Sequence, residues 1–193
     1  MAVVLKKGQR VDLTKGRPSL TKILIGLGWD VNCYDGEADF DLDSSVFMLN
    51  ENGRICREDD FIFYGNLQHP TKCVMHTGDN RTGEGSGDDE VIKVNLKDIP
   101  QQYETLAVTV TIYDALTRCQ NFGMVKNAYI RIIDESNGEE LLRYDLSEDF
   151  STETALVVAE IYKRNGEWKF KAVGSGYNGG LHALCTTYGV PVE

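Results

Sequence analysis

The chain has 193 residues, which is long enough for one domain with a substantial hydrophobic core. Its apolar content of 41% and charged content of 26% are ordinary for a soluble globular protein. The formal net charge of −10 argues against a nucleic-acid partner, because phosphate contacts require basic patches. No linker or composition shift divides the chain, so we predict a single domain over residues 1–193.

The N-terminus and the cysteines indicate the compartment. The apolar run at residues 2–5 is too short for a signal peptide, and no stretch is long enough to span a membrane. The five cysteines form no CxxC pair, which favours free, mostly buried thiols in a reducing compartment. We therefore expect a cytoplasmic protein.

Short runs of strand-forming residues, separated by turn signals, follow one another along the chain. We count about twelve such runs, at residues 3–5, 10–13, 23–29, 39–49, 60–64, 74–76, 91–96, 105–113, 128–133, 141–144, 155–162 and 168–173. The first two flank Lys7-Gly8-Gln9 and predict a hairpin, while residues 181–188 predict a short C-terminal helix. The pattern predicts an all-β fold with minor helix, a two-sheet antiparallel β-sandwich with acidic loops.

The first acidic segment, residues 30–43, carries six carboxylates and no base. Within it Asp39, Asp41 and Asp43 alternate with apolar residues, and residues two apart in a strand point to the same face. Such a row of carboxylates repels itself. A divalent cation among them would remove the repulsion.

The second acidic segment, residues 77–90, combines five carboxylates with four glycines and contains no hydrophobic side chain. Glycine permits tight turns, and Asp, Glu, Asn and Thr supply the hard oxygen atoms that calcium prefers. Residues 30–43 and 78–90 have net charges of −6 and −4, which together equal the charge of the whole chain. This concentration favours a metal-binding site over the alternatives of a solvated acidic loop or a disordered linker.

Neither segment fits the EF-hand pattern, which requires oxygen ligands at positions 1, 3 and 5 and glycine at position 6. A loop that starts at Asp79 places Arg81 and Gly83 at the third and fifth positions. A loop that starts at Asp39 places Ser44 at the sixth position. We therefore exclude an EF-hand.

Nine motifs distributed over the whole chain carry a family resemblance. They are GLGWD at 26–30, DFDLD at 39–43, FIFYGN at 61–66, HTGDNRTGEGSGDDE at 76–90, VTIYD at 110–114, FG at 122–123, AYIR at 128–131, RYDL at 143–146 and GEWKF at 166–170. Together they resemble the TerD family of tellurium-resistance and stress proteins. The resemblance implies a β-sandwich that binds two calcium ions in adjacent acidic loops of a bacterial cytoplasmic protein.

The same resemblance implies a role in resistance to tellurite and other stress, including phage, with no established enzymatic activity. It implies calcium as the cofactor. It also implies paralogous or other tellurium-resistance proteins as partners, with the inner face of the membrane as one place of assembly.

The acidic segments and the resemblance together predict a set of metal ligands. The candidates are Asp30, Asp41, Asp43, Asn66, Asp79, Asn80, Thr82, Glu84, Asp88, Asp89 and Glu90. Asp39 is either a ligand or an exposed neighbour, because neither the alternation nor the resemblance decides between the two. We expect Asp35 and Glu37 to be solvated and Arg81 to pair with a nearby carboxylate. His76 lies near the acidic loop and is either a residue that supports the metal ligands or, as we favour, a surface histidine.

Three hypotheses about function compete, and we favour a calcium-binding, non-enzymatic scaffold with no catalytic residues. A metal-dependent hydrolase would need an open coordination position and a general base beside the metal. Thiol-based handling of tellurite would need an exposed, activated thiolate. Cys33 lies within an acidic segment, where neighbouring negative charge disfavours the thiolate.

Overall fold

Two six-stranded β-sheets and one C-terminal helix make up the computed structural model, which describes residues 2–31, 38–84, 87–146 and 150–192. Numbered along the chain, the first sheet has the spatial order β1 (Val3–Leu5), β10 (Glu140–Asp145), β9 (Tyr129–Asp134), β3 (Lys22–Gly28), β7 (Glu90–Asn95) and β6 (Val74–His76). The second has the order β2 (Arg10–Asp12), β12 (Glu167–Tyr177), β11 (Ala155–Arg164), β8 (Thr105–Ile112), β4 (Leu42–Leu49) and β5 (Phe61–Ile62). Helix α1 spans Gly180–Tyr188, and short 3-10 helices span Glu58–Asp60 and Phe122–Met124. The mostly-β fold with a C-terminal helix is confirmed.

The first two strands correct the sequence-based prediction. β1 pairs in parallel with β10, and β2 pairs antiparallel with β12, so the predicted β1–β2 hairpin and the purely antiparallel arrangement are wrong. Each of these strands has three residues, and an isolated two-stranded hairpin is marginal in water. Each strand is instead added to the edge of a longer sheet.

The two sheets enclose one hydrophobic core. β7 alternates buried and half-buried residues, as expected for a strand with one face toward a core. β4 is buried along its whole length because both of its faces are covered. Val46 and Met48 belong to the core between the sheets, whereas Phe47 and Leu49 belong to a second apolar cluster under α1.

Helix α1 packs on the outer face of the second sheet through Leu184, Cys185 and Tyr188. The ring centroid of Tyr188 lies 4.7 Å from that of Phe47. Gly189 adopts a left-handed conformation, with φ of +86°, and ends the helix. In the described part of the chain no helix is long and apolar enough to cross a membrane.

The described residues that follow residue 37 in the first acidic segment meet those of the second at one end of the sandwich. The first segment leads into β4 of the second sheet, and residues 77–89 connect β6 to β7 in the first sheet. The strand predicted to begin near Asp39 begins at Leu42, so Asp39 and Asp41 precede the regular pairing.

Candidate metal centre

Three carboxylates from the two acidic segments meet at this end of the sandwich. Asp43 is the second residue of β4, Asp41 lies just before that strand, and Asp79 belongs to the loop before β7. Oxygen atoms of the three side chains all lie within 4.8 Å of one another. Asp41 and Asp43 are buried, whereas Asp79 is exposed. We call these three residues the Asp triad.

The electrostatics of the Asp triad are unfavourable without a cation. Burial, followed by the negative charges of Glu90, Asp41 and Asp79, raises the pKa of Asp43 to about 8. Burial also raises the pKa of Asp41, with the charge of Asp79 acting in the same direction. The fold therefore holds together groups whose ionised forms oppose one another.

Two arginines reduce part of this repulsion. Nη1 of Arg118 lies 3.6 Å from Oδ2 of Asp41, and Nε of Arg81 lies 3.7 Å from the same oxygen. Both positive charges act to lower the pKa of Asp41. The expected pairing of Arg81 with a nearby carboxylate is confirmed.

Glu90, the first residue of β7, lies next to the Asp triad and is 1% exposed. Its Oε2 accepts hydrogen bonds from the backbone N–H and the Oγ of Ser44, at 2.6 and 2.7 Å. Nε2 of His76 lies 3.4 Å from Oε2 of Glu90 and 3.2 Å from Oγ of Ser44. Oε1 of Glu90 is buried without a hydrogen-bond partner among the described residues. A bound cation is one group that would satisfy this oxygen.

His76 is 2% exposed, so the expectation of a surface histidine is wrong. Its position at the end of β6 places the ring beneath Ser44 of the opposite sheet. A supporting role for His76 was the less favoured alternative, and Ser44 was not predicted as part of the site, because the packing of the two sheets leaves no signal in the spacing of the residues.

A second acidic group consists of Asp89 and the nearby carboxylates of Asp30, Asp88 and Glu90. Burial raises the pKa of Asp89, and the charges of Asp88, Glu90 and Asp30 act in the same direction. Oδ2 of Asp89 accepts a hydrogen bond from the backbone N–H of Trp29 at 2.9 Å. Oδ2 of Asp30 accepts a hydrogen bond from Nδ2 of Asn127 at 2.6 Å.

Asp88 is held by basic and hydroxyl groups of β9. Nε of Arg131 donates to its Oδ1 at 2.8 Å, and the hydroxyl of Tyr129 donates to the same atom at 3.1 Å. Arg131 also donates to Glu140 at 2.9 Å. The carboxylate of Asp88 packs over Gly26 so closely that a Cβ at that position would lie 2.1 Å from its Oδ2.

Asn80 organises the loop before β7. Its Oδ1 accepts hydrogen bonds from the backbone N–H groups of Thr82 and Gly83, both at 3.1 Å. Its Nδ2 donates to the backbone oxygen of Glu84 and to Oδ1 of Asp89, both at 3.3 Å. Asn80 thereby links the loop to the second acidic group.

Some predicted positions make contacts outside the Asp triad. Nδ2 of Asn66 donates to the backbone oxygen of Phe61 at 2.8 Å. Asp39 is exposed and its backbone oxygen accepts a hydrogen bond from Gln120 at 3.3 Å. Asp35 and Glu37 lie outside the described residues.

The donor set of the Asp triad fits a hard divalent cation. Calcium takes carboxylate oxygens at about 2.4 Å, so two ligands of one ion lie at most about 4.8 Å apart. The oxygens of the Asp triad meet that limit. Residues 41, 43 and 79 would hold the ion, which would supply the positive charge that the cluster lacks.

Fold and site together define a β-sandwich protein with an acidic, metal-competent cluster at one end. The model of the TerD domain family matches residues 1–188. The chain therefore belongs to the TerD family, as the sequence motifs predicted.

Individual relatives agree with this assignment. General stress protein 16U of Bacillus subtilis (strain 168) is 55% identical over 192 residues and covers 100% of both chains. Tellurium resistance protein TerD of Serratia marcescens is 52% identical over 190 residues and covers 98% of both chains. A crystal structure of a homologue of telluride resistance protein (TerD) from Streptomyces coelicolor A3(2) has a TM-score of 0.71 at 20% identity, covering 90% of this chain and 99% of that one. That likeness shows the shared fold.

Proposed function

We propose that this chain is a calcium-binding, non-enzymatic stress-response protein of the tellurium-resistance type. The observation that carries the calcium site is the Asp triad, in which burial and like charge raise the pKa of Asp41 and Asp43. A bound cation would reverse that penalty and leave all three carboxylates ionised. The names of the relatives, a general stress protein and a tellurium resistance protein, support the role in stress.

Calcium is proposed over magnesium because the carboxylates come from a strand and a long glycine-rich loop. Calcium accepts flexible arrangements of about six to eight oxygens, whereas magnesium demands a near-ideal octahedron and retains several waters. Two ions are proposed, one at the Asp triad and one beside Asp89. The second location is supported by the charges of Asp30 and Asp88, which act on the pKa of Asp89.

With calcium bound, the acidic end of the sandwich would be a rigid surface built from both sheets. We propose that this surface serves as a scaffold or interaction module. Its partners would be paralogous or other tellurium-resistance proteins, at the inner face of the membrane in a cytoplasmic setting.

Titration calorimetry tests the calcium site, with magnesium as the comparison ion. We expect Asp79→Asn to lower calcium affinity at least tenfold, because it removes one ligand charge from the Asp triad. The matched control is Asp59→Asn, which changes an exposed acid outside the cluster. Absence of calcium heat, equal preference for magnesium, or equal effects of the two substitutions would overturn the proposal.

A further inference from the structure

A cleft of about 800 Å³ lies beside the Asp triad and shares Asp43 with it. Its walls come from the end of β8, from the connection at residues 113–121 and from the start of α1. Clefts of about 300–1,000 Å³ are typical of small-molecule sites. The size of the cleft therefore suits a ligand larger than a metal ion.

The walls of the cleft combine aromatic rings and the aliphatic side chains of Ile112, Ala115, Leu116 and Leu181 with neutral polar groups. The ring centroids of Tyr64 and Tyr113 lie 6.5 Å apart at an interplanar angle of 80°, and both side chains are partly exposed. The neutral hydrogen-bonding side chains in the lining include Gln120, Asn121, Thr152, Thr154 and Asn178. Such groups pair with hydroxyls, and aromatic faces pack against the carbon skeleton of a sugar.

The charges of the lining side chains limit the class of ligand that the cleft can bind. The charged side chains among the described lining residues are Asp43 and Asp114, and no lysine, arginine or histidine is among them. An anionic ligand would therefore meet like charge, and Arg118, whose Cζ lies 5.2 Å from the centroid of the Tyr113 ring, is already paired with Asp41 at 3.6 Å. A purely apolar ligand would leave the amide and hydroxyl groups of the lining unpaired.

Gln120 forms a fixed part of the wall of the cleft. Its Nε2 donates to the backbone oxygens of Ala38 and Asp39, at 2.8 and 3.3 Å, which fixes the orientation of the amide. The residue is 3% exposed and its Oε1 is buried, so Gln120 shapes the wall and leaves the more exposed amide and hydroxyl groups of the lining to meet a ligand.

We propose that the cleft binds a neutral polyhydroxylated small molecule, a sugar or a polyol. Its hydroxyls would pair with the amide and hydroxyl groups of the lining, and its carbon skeleton would lie against Tyr64 and Tyr113. Asp43 belongs to both sites, so calcium binding and polyol binding would be coupled. This coupling rests on the proposed calcium function, whereas the cleft and its lining do not.

Two cysteines provide a direct readout of occupancy. Cys119 lines the cleft and is exposed, while Cys56 is exposed and lies outside it. We expect myo-inositol, D-ribose or D-glucose to slow alkylation of Cys119 by iodoacetamide at least threefold and to leave Cys56 unchanged, as measured by peptide mass spectrometry. Inorganic phosphate and putrescine serve as anionic and cationic probes. The proposal is overturned if none of the three polyols protects Cys119, or if phosphate or putrescine protects it equally.

A pair of variants tests the location. Asn178→Trp would fill the cleft from its exposed edge, and Asn52→Trp places the same side chain in the exposed turn beyond the far end of β4. Saturation-transfer NMR with the protective polyol should lose its signal with Asn178→Trp and keep it with Asn52→Trp. Equal signals from the two variants would contradict binding in this cleft.

Repeating the alkylation with calcium and with a chelator separates the two proposals. Protection in both conditions, with no calcium heat in calorimetry, would overturn the calcium function and the coupling but support the cleft. Calcium heat without polyol protection would overturn the cleft proposal and leave the calcium function standing. Calcium heat together with protection that changes in either direction with calcium would support both.

Discussion

Glu90 and Ser44 connect the two sheets at the acidic end of the sandwich. The backbone N–H and the Oγ of Ser44 both donate to Oε2 of Glu90, at 2.6 and 2.7 Å. Glu90 begins β7 in the first sheet, and Ser44 follows Asp43 in β4 of the second. The contact therefore holds the strand that carries Asp43 against the end of the glycine-rich loop.

Ser44→Ala tests whether this connection supports the metal centre. The substitution removes one hydrogen bond to a charged group, worth about 1.5 kcal/mol, and we expect calcium affinity to fall about tenfold. Ser45→Ala is the matched control, because Oγ of Ser45 forms a hydrogen bond with Oγ1 of Thr109 at 2.6 Å rather than with Glu90. The control should lower the unfolding free energy without changing calcium affinity in calorimetry. Equal calcium affinities for the two variants would show that the contact with Glu90 is structural alone.

Calcium should stabilise the folded chain. Binding to the native state alone adds about 4 kcal/mol at a thousandfold excess over the dissociation constant, which corresponds to roughly 10 °C in the thermal midpoint. Differential scanning calorimetry in chelator and in excess calcium measures this shift. The Asp79→Asn variant should show a smaller rise. A midpoint that is the same in chelator and in millimolar calcium would refute a structural role for the ion.

The sequence predicted the parts of the site that local pattern controls. Alternation places Asp41 and Asp43 on one face, and both belong to the Asp triad. Glycine-rich composition marked the loop that contributes Asp79. Strand positions followed from runs of β-formers bounded by turns, and helix α1 from the run before Gly189.

Contacts that depend on the packing of distant segments were not predictable. Ser44 and Glu90 are 46 residues apart, and Arg131 and Asp88 are 43 apart. No spacing rule relates such pairs, because they meet when strands from separate hairpins come together. The same reason explains the error at β1, whose pairing partner β10 lies far along the chain.

Gly26→Ala tests the close packing of Asp88 against β3. A Cβ at residue 26 would lie 2.1 Å from Oδ2 and 2.3 Å from Cγ of Asp88, while Arg131 holds that carboxylate at 2.8 Å. We expect a loss of about 1–3 kcal/mol in the free energy of unfolding. Asp88→Ala removes the clashing carboxylate, so Gly26→Ala should cost less in that background. Urea unfolding of the four proteins in this double-mutant cycle measures the difference. Additive effects would mean that the two residues are not in contact.

Outside the metal centre, Asp60 is the common acceptor in a buried network of hydrogen bonds. The hydroxyl of Tyr103 donates to its Oδ1 at 2.6 Å, and the backbone N–H groups of Cys56 and Arg57 donate to its Oδ2 at 2.8 and 3.1 Å. Nε2 of His69 lies 3.3 Å from Oδ1. Burial acts to raise the pKa of Asp60, but the hydrogen bonds outweigh it and hold the pKa below its ordinary value of 3.8.

Tyr103→Phe should destabilise the chain in a pH-dependent way. Burial, together with the bond to Asp60, raises the pKa of Tyr103 to about 12, so the hydroxyl remains a donor at neutral pH. Loss of its bond to the ionised Asp60 should cost about 1.5–3 kcal/mol near pH 7. Because the pKa of Asp60 is lower in the folded state, this stabilisation is present above about pH 4 and is lost as the pH falls further. Urea unfolding at pH 7 and pH 3 should therefore show a gap between wild type and variant that narrows in acid. Tyr162→Phe, at a partly buried tyrosine, should show a small gap at both values. A Tyr103→Phe gap that is independent of pH would show that the hydroxyl does not stabilise the ionised carboxylate.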